Sequence, residues 1–273
     1  MAVGSRWKPR PIRALYLYYR LMSQQLKALM SYQADFLISI AGMTLTQVLG
    51  LVFLSVVYQR IPDIHGWLFW EVAFVYAMVF FIEGITSFFF NGMWVIGGII
   101  NRGEMDRILV RPVSPILQIF TSHFGIGGIG MILVGAVILY QSIQHIHIEW
   151  SLSHIFMLIL LLISAVVIRV SIIFASCCQS FWTGSANSSF SHTIHTLSEF
   201  VKFPISIYSL GIQALITVIV PFAFISFFPA AYLFGKEGWG TIGAWGPLVA
   251  VYTAVMALWI FCSGLKKYES TGN

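Results

Sequence analysis

Apolar runs of about twenty residues recur along the whole of this chain, separated by short polar breaks. A hydrocarbon core of about 30 Å takes roughly 20 helical residues to cross. Inside a bilayer every backbone N–H and C=O must be paired within the segment, so runs of this length cross as helices. The pattern predicts an all-α polytopic membrane protein, one transmembrane domain over 1–273. Six spans are expected, at about 33–58, 67–90, 116–140, 154–174, 204–228 and 245–263. With 58% hydrophobic and only 9% charged residues, the chain has no stretch left for a sizeable soluble domain. Arg6, Lys8, Arg10 and Arg13 precede the first long apolar run too distantly, and without a small-residue cleavage site, to read as a cleaved signal peptide.

Between the spans the polar breaks have character of their own. Over 11–31 the apolar residues Ile12, Leu15, Tyr16, Tyr19, Met22, Leu26 and Leu29 follow a 3.6-residue period, with Arg13, Arg20 and Lys27 on the other side. That is an amphipathic helix suited to lie along an anionic membrane surface. Residues 176–202, rich in Ser, Thr, His and Asn, are too polar to span and read as a second interfacial segment. Pro221 is expected to kink the fifth span. Residues 229–243 read as a re-entrant segment before the sixth. Gly125, Gly127, Gly128 and Gly130 open the third span and allow a neighbouring helix to come close. Of the 15 Lys and Arg, all but Arg60 and Lys236 fall on the side of the N-terminus. The positive-inside rule then puts both termini in the cytoplasm of a plasma (inner) membrane protein.

The densest charge lies between spans two and three, in 101–115. Arg102, Glu104, Asp106, Arg107 and Arg111 cannot face lipid and belong in water or among headgroups. Met105, Ile108, Leu109 and Pro112 recur at helical spacing, which predicts a short helix with an apolar face, and Arg102 can reach Asp106 at i+4. Pro112 and Pro115 stop it. A mixed-charge helix with an apolar face, tied to two spans, has the form of a docking surface for a cytoplasmic partner. A plain solvated loop accounts for the charge alone.

Two charges fall inside spans. Glu83 and Arg169 each lie about eight residues before the inner end of their span, so at about 1.5 Å per residue they share a depth. They are candidates for an intramembrane ion pair, since either alone would cost several kcal/mol to bury. The competing arrangement has Arg169 reaching the headgroups and Glu83 facing water.

Catalytic patterns are missing. The lone Gly-Lys, Gly235-Lys236, is followed by Glu237 and cannot be the end of a phosphate-binding loop. His145 with His147, and His192 with His195, lack the partners a metal site needs. Cys177, Cys178 and Cys262 have no zinc-ligand spacing and read as small apolar residues. The basic residues flank spans and are not gathered on one face, which excludes nucleic acid as a partner. No cofactor of its own is expected, and the chain does not read as an enzyme.

The segment Arg102-Gly-Glu-Met-Asp-Arg-Ile-Leu-Val-Arg-Pro-Val-Ser114 resembles a "G-E-L-D-x-x-L-x-R-P" signature of ABC-2 type permeases in a six-span branch, with Met105 in place of Leu. Phe200-Val-Lys-Phe-Pro-Ile-Ser-Ile-Tyr208 and Val220-Pro-Phe-Ala-Phe-Ile-Ser-Phe-Phe-Pro-Ala230 are similar to that branch's fifth span and its exit. The resemblance implies a permease that pairs with a second permease, either itself or a sibling. It implies cytoplasmic ABC ATPase subunits that bind ATP and Mg, an interfacial N-terminal helix, and a re-entrant segment before span six. It also implies that Arg102, Gly103, Glu104, Met105, Asp106, Arg107, Ile108, Leu109, Arg111 and Pro112 form the coupling helix to the ATPase.

The expected function is therefore the permease subunit of an ATP-driven exporter of an amphipathic or hydrophobic substrate, such as a drug, peptide or lipid-like molecule. The alternatives are a non-transporting sensor or immunity subunit of an ABC-type complex and a lipid-modifying membrane enzyme. The enzyme would need a convergent polar site within the spans.

Overall fold

The structure, a computed structural model, describes residues 33–269 apart from Glu149, Asn187 and Glu237, together with Tyr16, Tyr18, Arg20, Ser23 and Gln24. The amphipathic helix expected over 11–31 otherwise lies outside the described residues. Tyr18 donates from its hydroxyl to the Phe89 carbonyl at 2.7 Å. Among the described residues the regular elements are all helical.

Helix α1 (Gln33–Arg60) is followed by a tight turn in which Ile64 and Trp67 pair, with His65 and Gly66 at positive φ. Then comes the hub. Helix α2 (Phe69–Phe90) runs through a 3-10 stretch, Asn91–Val95, into α3 (Ile96–Asn101). Together they make a rod of 33 residues, about 50 Å long at about 1.5 Å per residue. Some 67% of its most apolar window is buried in the protein, against 11% for α1, so the rod is central and α1 peripheral. Leu37 at 64% and Phe53 at 63% exposure, with Trp259 at 64% on the last helix, form an apolar exterior suited to lipid.

The short helices α4 (Met105–Val110) and α5 (Pro115–Phe120) lead into α6 (Gly127–His145). The expected third span over 116–140 is thus interrupted at 121–126. Its helical crossing is α6, which packs on α2 backbone to backbone. A Cβ at Gly128 would lie 2.6 Å from the Gly84 carbonyl oxygen, and one at Gly84 would lie 2.8 Å from that of Gly128. Without side chains at this crossing the two helices meet at a separation no other residue allows.

Ser151 caps α7 (Leu152–Cys177) by accepting from the His154 N–H, as an N-cap serine does. After α8 (Ser180–Thr183) the polar stretch forms α9 (Ser189–Leu197), which lies against α7. The final helix, α13 (Gly246–Lys267), also packs along α7 and ends on Lys266 and Lys267, charges that complement the helix C-terminus.

The segment expected as a continuous fifth span, 204–228, is broken instead. Helix α10 (Leu210–Ala214) widens into a π-turn, Leu215–Ile219, and stops at Val220 and Pro221. Proline there has no N–H to continue the ladder. A 3-10 turn, Phe222–Ile225, leads to α11 (Phe227–Leu233), then α12 (Gly240–Gly243). Phe222, Phe227, Phe228, Ala230 and Ala231 have no exposed surface, so this irregular backbone is covered by protein. Lys236 fastens the segment to the α1–α2 turn, donating to the Gly66 carbonyl and to Glu71, each at 2.7 Å. Among the described residues, five helices are long and apolar enough to cross a membrane: Leu37–Arg60, Phe69–Asn101, Gly127–His145, Leu152–Thr183 and Gly246–Lys267.

Candidate functional site

The charged block of the sequence occupies one end of the central rod. After Asn101 the chain reverses at Gly103, whose φ of 70° suits glycine, and α4 begins two residues later. Met105 is fully buried, and Ile108 and Leu109 pack against the core. Arg107, Val110, Arg111 and Pro112 face outward, Val110 being 81% exposed. The apolar face anticipated from the spacing is therefore spent on the chain's own core, and the outward face is basic.

The reversal at Gly103 also changes the ion pairing. Arg102 does not meet Asp106 at helical spacing but Glu104, Nε to Oε1 at 2.8 Å, because Arg102 and Asp106 fall on either side of the turn. This hydrogen-bonded pairing raises the Arg102 pKa and holds the Glu104 carboxyl below its usual range. Asp106 instead lies beside Tyr268, just past α13. Burial first, and the Asp106 charge second, push the Tyr268 phenol upward.

Three further ties fix the element. Gln118 on α5 donates from Nε2 to the Ile108 and Val113 carbonyls, at 2.9 and 3.0 Å, and Asn101 donates to the Gly184 carbonyl at 3.0 Å. Between α4 and α5 lies a cavity of about 350 Å³, lined by Arg102, Glu104, Arg107, Arg111, Gln118 and His123 among others.

A second polar site sits inside the bundle. Glu83 lies about 21 Å along the rod from Phe69, and Arg169 about 26 Å along α7 from Leu152, at about 1.5 Å per residue. The two side chains meet, Arg169 Nη2 to Glu83 Oε1 at 3.2 Å, with exposures of 2% and 16%. His195 of α9 joins them, its Nε2 lying 3.0 Å from the same Glu83 oxygen and 3.1 Å from Arg169 Nη2. With the proton of the imidazole on Nε2, both nitrogens donate to one carboxylate oxygen. The other neutral tautomer would turn a lone pair toward the anion.

Beside this triad is a cavity of about 190 Å³. Asn91, Trp94 and His192 also line it, beside Thr86 and Ser87, with the indole of Trp94 stacked on His192 at 4.7 Å and edge-on to His195 at 5.7 Å. Trp94 carries no signal in the sequence, and His195 reads there only as half of a histidine pair that lacks metal partners; its approach to Glu83 is not foreseen. Its one hint was a histidine-bearing polar segment lodged between apolar runs.

A family model described as ABC-2 family transporter protein matches residues 44–272. The chain belongs to the ABC-2 transporter family. Neither among curated proteins nor among solved structures does any other chain match it. This ABC-2 protein is a multi-pass membrane permease, and its family is one of transport components. Permeases of the family generally work with ABC ATPase subunits. In the ABC-2 frame its two polar sites divide by position, one at a rod end among exposed arginines and one buried between α2, α7 and α9.

Proposed function

We propose that this chain is the membrane subunit of an ATP-driven exporter and that Arg102 to Pro112 form the contact with a cytoplasmic ABC ATPase. One observation supports this above the others. The element carrying Arg107 and Arg111 outward is anchored inward by Met105 and bound to α5, to Gly184 and to the region of Tyr268. A push on its exposed face therefore reaches the central rod, the α7–α8 run and the last helix together. A solvated loop would absorb such a push.

In this reading the chain crosses the membrane six times, counting the broken segment 204–228 as a crossing and the buried α11–α12 region as the re-entrant element. Both termini and the 101–115 element lie in the cytoplasm at the plasma membrane, as the distribution of Lys and Arg favours. The helix at 11–31 lies along the inner surface. Two permeases, identical or sibling, pair with ATPase subunits that hold ATP and Mg. The cargo is amphipathic or hydrophobic. Transport requires that the partner contact the two access states of the permease differently.

The test is co-purification with a candidate ABC ATPase, followed by ATP turnover of the complex in lipid. The triple variant Glu104→Ala, Asp106→Ala, Arg107→Ala is expected to lose stimulation of that turnover. Undiminished stimulation, with assembly unaltered, would remove the coupling role.

A further inference from the structure

The cavity beside the triad has more hydrogen-bonding capacity than the protein uses. Arg169 is 1% exposed, and its Nη1 has no partner, although its Nη2 is engaged with Glu83. A buried guanidinium nitrogen left unpaired carries a full desolvation cost. The same cavity is lined by the ring of His192 and the amide of Asn91, neither of which makes a side-chain hydrogen bond among the described residues. Donor groups converge here from α7, from the exposed His192 of α9 and from Asn91 of the 3-10 stretch, beside the Glu83 carboxylate of α2. The space of about 190 Å³ exceeds several times the roughly 30 Å³ of one water. Arg's planar fork can hold Glu83 with one nitrogen and an oxyanion with the other.

We propose that this cavity binds a compact oxyanion, a carboxylate or phosphate monoester, presented as the head of an amphiphile, with Arg169 Nη1, His192 and Asn91 as its donors. The proposal rests on the permease reading, since it names the chemistry of what the permease takes. Glu83 is then a positioning residue. Its carboxylate fixes the orientation of the guanidinium, and His195 fixes the carboxylate. An intramembrane location selects a ligand with an apolar tail, because a free ion would lose its hydration to reach this depth.

The test uses the full-length protein in nanodiscs of neutral phosphatidylcholine, with its Tm followed as probes are added. Dodecyl phosphate is expected to raise the Tm in a saturable way, and dodecanol is not. Arg169→Lys, which keeps a cation for Glu83 but loses the fork, should weaken dodecyl phosphate binding by about tenfold or more, the scale of one charge-assisted hydrogen bond. His192→Ala, outside the ion cluster, should weaken it several-fold while leaving the fold intact.

Equal shifts with dodecanol would overturn the proposal by showing apolar partition alone. Unchanged binding in both variants would also overturn it, as would a cavity that takes no probe and holds water. Inorganic phosphate binding as tightly as dodecyl phosphate would overturn the amphiphile. ATPase co-purification on the same samples separates this from the permease reading. Probe binding lost with the ATPase retained sinks the cavity ligand alone, whereas an ATPase never recruited while the probe binds sinks the permease reading.

Discussion

Arg169 Nη2 and Glu83 Oε1 lie 3.2 Å apart, and the Arg169 side chain is only 2% exposed. Removing one member of such a pair leaves the other buried and uncompensated, at a cost of about 3 to 5 kcal/mol. Glu83→Gln and Arg169→Gln are each expected to fall in that range in unfolding titrations of the solubilised protein. The double variant should recover at least about 1 kcal/mol of the summed loss. His195→Ala removes one hydrogen-bonding contact to Glu83 and should cost about 1 kcal/mol. A fully additive double-mutant cycle would show that the contact contributes nothing.

Gly128 meets the Gly84 carbonyl so closely that Gly128→Ala must push α6 away from α2. A loss of about 1 to 3 kcal/mol is expected, as for other overpacked sites. Gly42, with nothing within 4 Å of its missing Cβ, is the control. There alanine should be neutral, or stabilising by up to about 1 kcal/mol through helix propensity. Thermal unfolding of the two variants side by side checks the contrast.

Gln118 holds the end of α4 by two carbonyls. Gln118→Leu is expected to raise amide hydrogen exchange across 105–114 while leaving α2 and α7 protected. The loss of about 1 kcal/mol per hydrogen bond is local. If exchange rises throughout the rod, the element is not a separately held unit.

Tyr268 gives a dependence on alkaline pH. Its phenol is raised above the ordinary value of 10.0, by burial and then by Asp106. A group whose folded pKa is raised contributes stability that is fully present below its unfolded pKa, and loses it as pH rises through the folded value. Wild type should therefore lose Tm above pH 10 more steeply than Tyr268→Phe, which has no phenol to ionise. Parallel profiles would mean that folding does not raise the Tyr268 phenol.

Much of this fold could be read in the sequence because hydrophobic length is a local property. Runs such as 33–58 and 245–263 need no distant partner to be recognised, and the structure places helices over both. The depth of Glu83 and Arg169 follows from counting along two such runs. His195 escapes that logic. It reaches Glu83 across 112 positions of the chain, and nothing local distinguishes it from His192 or His145. The 204–243 region escapes for another reason. Pro204 and Pro221 break its helical ladder, yet its phenylalanines keep it as apolar as a span, so composition and backbone point in different directions. The Arg102 partner was misassigned because helical spacing presumes an unbroken helix, and Gly103 breaks it.

The 3-10 stretch at Asn91–Val95 sits in the rod between Glu83 and the arginines of α4. Its five residues advance about 2.0 Å and turn about 120° each, where an α-helix advances about 1.5 Å and turns about 100°. Rewinding them as α-helix would shorten the rod by about 2.5 Å and swing its far end through about 100°. Such a rewinding would join a shift along the rod axis at the α4 end to a rotation of the wall around Trp94, as the thread of a screw does.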